Sequence, residues 1–127
     1  MANRPTSITH VATVAVPVTD QERALAFYRD TLGFQLVRDV PFGPGQRWIE
    51  VAPSGGGTTI ALPPLGDAAP GSDTGIRLTT DDAAADHAAL RERGVEVGAD
   101  VLRYPGVPPM FTLRDPDGNT LYLVERM

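Results

Sequence analysis

The chain has 127 residues and no cysteine, and 11 Lys and Arg against 16 Asp and Glu leave a formal net charge of -5. That length suits one core burying roughly two thirds of the unfolded surface, and the missing thiols exclude thiolate nucleophiles, disulfides and cysteine-ligated metals. The acidic balance, with no Lys/Arg cluster, argues against nucleic acid as a partner; the lack of a run of about 20 apolar residues argues against a membrane span, and the lack of an apolar stretch behind Met1-Ala2-Asn3-Arg4-Pro5 makes the cytoplasm the expected location.

Residues 13–20 (TVAVPVTD) alternate apolar and polar side chains and predict a strand. Thr19-Asp20-Gln21-Glu22 has the form of a capping box, and Ala24, Leu25, Tyr28 and Leu32 put an apolar stripe on a helix over 21–32. Gly33 suits the left-handed turn that ends a helix. Residues 34–40 alternate again as a second strand. Phe42-Gly43-Pro44-Gly45 follows as a loop placed to act as a lid, and 48–62 read as a hairpin around Pro53-Ser54-Gly55-Gly56-Gly57.

After a Gly/Pro-rich connector at 65–72 the pattern returns. Residues 74–81 (TGIRLTTD) repeat 13–20, with Thr74 standing 61 residues after Thr13; Gly94 repeats Gly33, and Leu121, Tyr122 and Leu123 repeat Ile60, Ala61 and Leu62. Between these landmarks lie an alanine-rich helix over 82–93, a strand over 95–101 and a hairpin over 111–123 that turns at Asp115-Pro116-Asp117-Gly118-Asn119. The predicted class is α+β: two tandem βαβββ modules, 8–64 and 73–127, in a single domain, 1–127. Neither module of about 60 residues would be comfortable alone, so the two are expected to share one core.

The duplicated order, Ala26-Phe27-Tyr28-Arg29-Asp30-Thr31-Leu32-Gly33-Phe34 in the first module and Asp115-Pro116-Asp117-Gly118-Asn119 near the end, resembles the vicinal oxygen chelate superfamily. That group includes glyoxalase I, extradiol dioxygenases, fosfomycin-resistance thiol transferases and bleomycin-resistance proteins. The resemblance covers essentially the whole chain. It implies mixed sheets curled around a cavity, a homodimer and, in metal-dependent members, His, Glu or Gln ligands on the first and last strands of each module. Carried onto this sequence, those positions are Thr13 and Thr74, or Gly75 if the register slips by one, together with Ala61 and Tyr122. None is the expected ligand, and a phenol with two hydroxyls would hold a divalent ion weakly. No metal and no other cofactor is therefore expected. His10 lies three residues ahead of Thr13, which turns it to the other face of a strand. His87, mid-helix, reads as a surface or packing residue.

What remains is a set of candidate ligand-binding residues and no assigned catalytic residue. Tyr122 would put a hydroxyl at the cavity floor, and Thr13 and Thr74 would sit beside it. Arg47, Trp48 and Phe42 belong to the first module; Tyr104, Met110 and Phe111, with Arg103, surround the proline-rich stretch at 105–109 in the second. Aromatic walls with one or two cations suit a planar or anionic small molecule, although Trp48, Met110 and Phe111 suit ordinary core packing equally well. The Asp115–Asn119 motif is most simply a turn, and Asp81-Asp82 a helix cap. The leading functional expectation is a protein that binds a small aromatic or amphipathic molecule without a metal, as in the bleomycin-resistance branch. The alternatives are a metal-dependent lyase, isomerase or dioxygenase of the same superfamily, a metal-free enzyme in which Tyr122 or His10 moves a proton beside an arginine, and a structural or regulatory module that binds another protein.

Overall fold

A computed structural model describes residues 5–127; Met1 to Arg4, on which part of the leader expectation rests, lie outside the described residues. The first half runs β1 (Thr13–Ala15), α1 (Gln21–Ala26), a π-helical segment (Phe27–Thr31), β2 (Gln35–Pro41), β3 (Arg47–Ala52) and β4 (Thr59–Ala61). The second runs β5 (Asp73–Thr80), α2 (Ala83–Glu92), β6 (Glu96–Val97), β7 (Leu102–Tyr104), β8 (Val107–Arg114) and β9 (Thr120–Glu125). Each half forms its own mixed sheet, ordered β1-β4-β3-β2 and β5-β9-β8-β6, with β7 paired to β8. In both, the first strand lies parallel to the last and the other pairings are antiparallel.

Alternation along the strands decides which side chains enter the core. Ile49 and Val51 of β3, Ile60 of β4, Phe111 and Leu113 of β8, and Leu121 and Leu123 of β9 join Leu25, Tyr28 and Leu90 of the helical segments in one buried cluster fed by both halves. Residues between them, such as Trp48, Glu50, Thr112 and Tyr122, therefore point to the opposite face of each sheet.

Several elements differ from the sequence-based expectation. The N-cap of α1 is Asp20, whose carboxylate accepts from the Arg23 amide at 3.1 Å, whereas the Thr19 hydroxyl that a capping box would use is turned to Asp117. Past Ala26 the helix widens: the Leu32 amide bonds back to the Phe27 carbonyl at 3.0 Å, a five-residue step. The predicted strand at 95–101 shortens to Glu96–Val97; the Gly98 amide still bonds to the Thr112 carbonyl at 2.9 Å, and the chain bends away at 99–100. The proline-rich stretch at 105–109, which its composition suits to a loop, is strand from Val107 onward. Pro108 and Pro109 open β8, ahead of the point where β9 begins to pair at Met110, so their missing amides cost no bond to β9.

The Asp115–Asn119 turn does more than close a hairpin. The buried Asp115 carboxylate accepts from the Tyr28 hydroxyl at 2.9 Å, from Asn119 Nδ2 at 2.9 Å and from the Asp117 and Asn119 amides. Asn119 Nδ2 also donates to the Pro17 carbonyl at 3.2 Å, and its Oδ1 accepts from the Ser72 amide at 3.1 Å. The turn thus ties the first helix, the end of β1 and the connector to β8 and β9. Burial and the adjacent Asp115 push the Tyr28 phenol far above its ordinary value, so it remains a donor at any physiological pH.

Candidate functional site

On the open face of the first sheet a polar cluster forms around Glu50. Its Oε2 accepts from the Trp48 indole nitrogen at 2.7 Å, and its Oε1 from the Thr59 hydroxyl at 2.8 Å and, loosely, from Thr13 at 3.5 Å. Thr13 and Thr59 share a further hydrogen bond of 2.8 Å. The geometry follows from strand register: Thr13 faces Thr59 across β1 and β4, and Trp48 and Glu50 are two apart on β3. Arg38 faces Glu50 across β2 and β3, its Nε 3.8 Å from Oε2. The Trp48 and Thr59 donors hold the Glu50 carboxyl below the usual glutamate range, opposed by partial burial. Phe42, on the loop after β2, lies with its ring centroid 5.9 Å from that of Trp48.

The open face of the second sheet carries Tyr122. Its hydroxyl donates to Asp73 at 2.7 Å, and the Arg77 guanidinium lies over its ring, 4.2 Å from the centroid. The hydrogen bond to Asp73 raises the Tyr122 phenol and lowers the Asp73 carboxyl. A phenol so held gives up its proton less readily than free tyrosine. Met110 lies on this face too, beside Thr112, which pairs with Tyr122.

An open cleft of about 860 Å³ runs between the edge of the first sheet and β5. Thr59 and Val14 line one wall, Arg77 and Thr74 the other, with the Pro53–Gly56 turn at its end. It touches both faces, through Thr59 beside Glu50 and through Arg77 beside Tyr122.

Other expected site residues fall elsewhere. Phe111 is fully buried, edge-on to the His87 ring at 5.1 Å, so it packs under α2 and lines no cavity. Arg47 is on the opposite side of β3 from Trp48. Its guanidinium bridges Asp39 at 2.6 Å and Glu22 at 2.6 Å, beside α1 and away from the open face. The Thr74 hydroxyl is spent on the Thr120 carbonyl at 2.6 Å. An irregularity between Asp73 and Arg77 shifts β5 so that Arg77 pairs with Tyr122 where Ala15 pairs with Ala61, which puts Gly75, and not Thr74, at the place equivalent to Thr13. Tyr104 is exposed at the tip of the β7–β8 hairpin, as is His10 ahead of β1, bonded to the Thr9 hydroxyl at 2.7 Å. His87 Nε2 donates to the Gly98 carbonyl, 2.7 Å away, pinning α2 to the chain after β6.

The model of the glyoxalase/bleomycin resistance protein/dioxygenase superfamily matches residues 7–123. The chain belongs to that superfamily. Its fold is that of solved members. It is 38% identical to TnmS3, an antibiotic-binding protein from Streptomyces sp. CB03234, over 97% of this chain and 100% of that one, with a TM-score of 0.83. A superfamily member from Sphaerobacter thermophilus is also 38% identical, over 95% and 100%, with a TM-score of 0.87. The uncharacterized protein YetH of Bacillus subtilis is 42% identical over 57 residues, so the match spans 45% of this chain and about half (48%) of that curated relative.

The donors at the superfamily's metal positions do not fit a divalent ion. They are a threonine hydroxyl at Thr13, a methyl at Ala61, no side chain at Gly75 and, at Tyr122, a phenol already donating to Asp73. Among the described residues no three His, Cys, Asp or Glu side chains are placed to share one ion. Glu50 is the carboxylate on the first face, and two neutral donors already occupy it. Sequence reading missed Glu50, Thr59, Arg77 and Asp73. Glu50 was accessible to it, since any residue two positions from Trp48 on an alternating strand shares its face; Asp73 and Arg77 were not, because a strand irregularity sets their register.

Proposed function

We propose that the protein binds a small planar aromatic or amphipathic molecule against its open sheet faces, without a metal. The observation that carries this reading is Trp48: a half-buried indole, its nitrogen held by Glu50, lying on an open face next to Phe42. Planar aromatic ligands gain both area burial and ring–ring contact from such a surface. The similarity to an antibiotic-binding protein along the whole chain supports the same class of ligand. We propose further that two copies associate, as the superfamily resemblance implies, and that the protein works in the cytoplasm; no helix among the described residues is long and apolar enough to cross a membrane.

Trp48 is the chain's single tryptophan, so its fluorescence reports on the site directly. Titration of protein purified without a histidine tag with planar aromatic antibiotics is expected to quench that emission saturably. Trp48→Leu would then lose the ligand-induced rise in melting temperature. Absence of saturable quenching across the set, together with stabilisation of several degrees by one divalent metal, would transfer support to a metal-dependent lyase, isomerase or dioxygenase.

A further inference from the structure

The Glu50 cluster is more than a satisfied carboxylate on a sheet, and any part it plays in ligand choice rests on the binding function proposed for this face. Each Glu50 oxygen has a defined task. Oε2 fixes the indole edge through Trp48 Nε1 at 2.7 Å, and Oε1 is braced by Thr59 at 2.8 Å, itself hydrogen-bonded to Thr13. With its nitrogen anchored and Phe42 alongside, the indole cannot rotate to follow a ligand without breaking a charge-assisted bond. The charge itself is only weakly neutralised. Its cationic partner is Arg38, at 3.8 Å and with a side chain 60% exposed, whereas the Glu50 side chain is 15% exposed. Trp48, Thr59 and Thr13 are neutral. A largely buried negative charge therefore stands at the edge of the aromatic surface, on the face a ligand would approach.

We propose that Glu50 is the specificity-determining residue of this face: it positions Trp48, and its charge selects planar ligands bearing a cationic or strongly hydrogen-donating substituent over anionic ones. The two roles separate chemically. In Glu50→Gln the amide oxygen still accepts from Trp48 Nε1, and the amide nitrogen donates to Thr59, whose hydroxyl turns to the Ala12 carbonyl 3.4 Å away. Position survives and charge is lost. In Glu50→Ala both are lost.

The test uses three naphthalenes with the same ring and a trimethylammonium, a hydroxymethyl or a sulfonate substituent, titrated into the wild-type protein and both variants by Trp48 fluorescence. Unit charges a few ångströms apart in a partly screened site are worth about a factor of ten in affinity, so the wild-type protein should prefer the cation over the anion by roughly tenfold. That preference should shrink as salt rises. Glu50→Gln should bring the cation and anion together while keeping the affinity for the neutral compound and the ligand-free emission maximum. Glu50→Ala should shift that maximum and weaken all three. An anion bound by the wild type as tightly as the cation, or a preference unchanged in Glu50→Gln, overturns the charge role. An unshifted emission in Glu50→Ala overturns the positioning role. Should none of the three bind the wild type, the proposed binding function falls and takes the charge preference with it, while the emission comparison still decides positioning.

Discussion

Tyr28 and Asp115 join the halves of the molecule through one buried hydrogen bond of 2.9 Å. The Tyr28→Phe variant keeps the ring packed against Phe27 and Phe34, whose centroids lie 5.3 and 5.8 Å away, and removes only the donor. A buried acceptor that loses a donor costs about 1–3 kcal/mol, so urea denaturation should show a loss of that size with an unchanged slope. A loss under about 0.5 kcal/mol, on the same scale, would mean that the Asn119 and Asp117 donors satisfy Asp115 without Tyr28. Glu50 supplies a second residue-level prediction. Its folded carboxyl is held below the ordinary value of 4.5 by the Trp48 and Thr59 donors. A depressed acid contributes stability that is present above its unfolded value and is lost as pH falls through its folded value. An acid titration of Trp48 emission should accordingly show a step below pH 4.5 that is absent from Glu50→Gln; a step above it would contradict the sign of the shift.

Glycines show how turns join the elements. Gly33 ends the first helical segment at φ 80°, with open space where a Cβ would stand. Gly33→Ala therefore bears only the cost of left-handed backbone, about 1 kcal/mol. Gly71, in the connector, has φ 87° and passes over the β8–β9 turn, where a Cβ would sit 3.1 Å from the Asp117 carbonyl oxygen. Gly71→Ala adds that crowding to the same backbone strain, so it should unfold at clearly lower urea than Gly33→Ala; equal midpoints would show that the connector yields freely. The sequence made the helices and most strands legible, because their periodicities and stops are local. It misplaced what distant contacts decide. Thr19 leaves its cap for Asp117, the predicted strand at 95–101 bends away at 99–100, and Phe111, equally suited to pocket or core by its chemistry, is claimed by the core beneath α2. In the candidate site Trp48, Tyr122 and, two positions from Trp48, Glu50 are within reach of motif and alternation, while Arg77 and Asp73, the partners of Tyr122, depend on the irregular register of β5.

At the scale of the whole molecule, one edge of the first sheet is hard to reconcile with an isolated chain. All seven residues of β2 are exposed, and the strand bonds to β3 on one side only. Leu36 and Val40 on it, and Phe42 just beyond, are 41%, 41% and 55% exposed. A free edge with apolar side chains invites pairing with another chain, which is the physical argument for the expected homodimer. Light scattering at micromolar concentration should therefore give twice the 13.5 kDa chain mass, and the melting temperature should rise with protein concentration. Val40→Glu puts a charge on the exposed edge strand without touching the core. It should yield a folded species of single-chain mass whose melting temperature no longer depends on concentration. A wild-type monomer at the same concentration would remove the dimer and leave the exposed strand to the ligand alone.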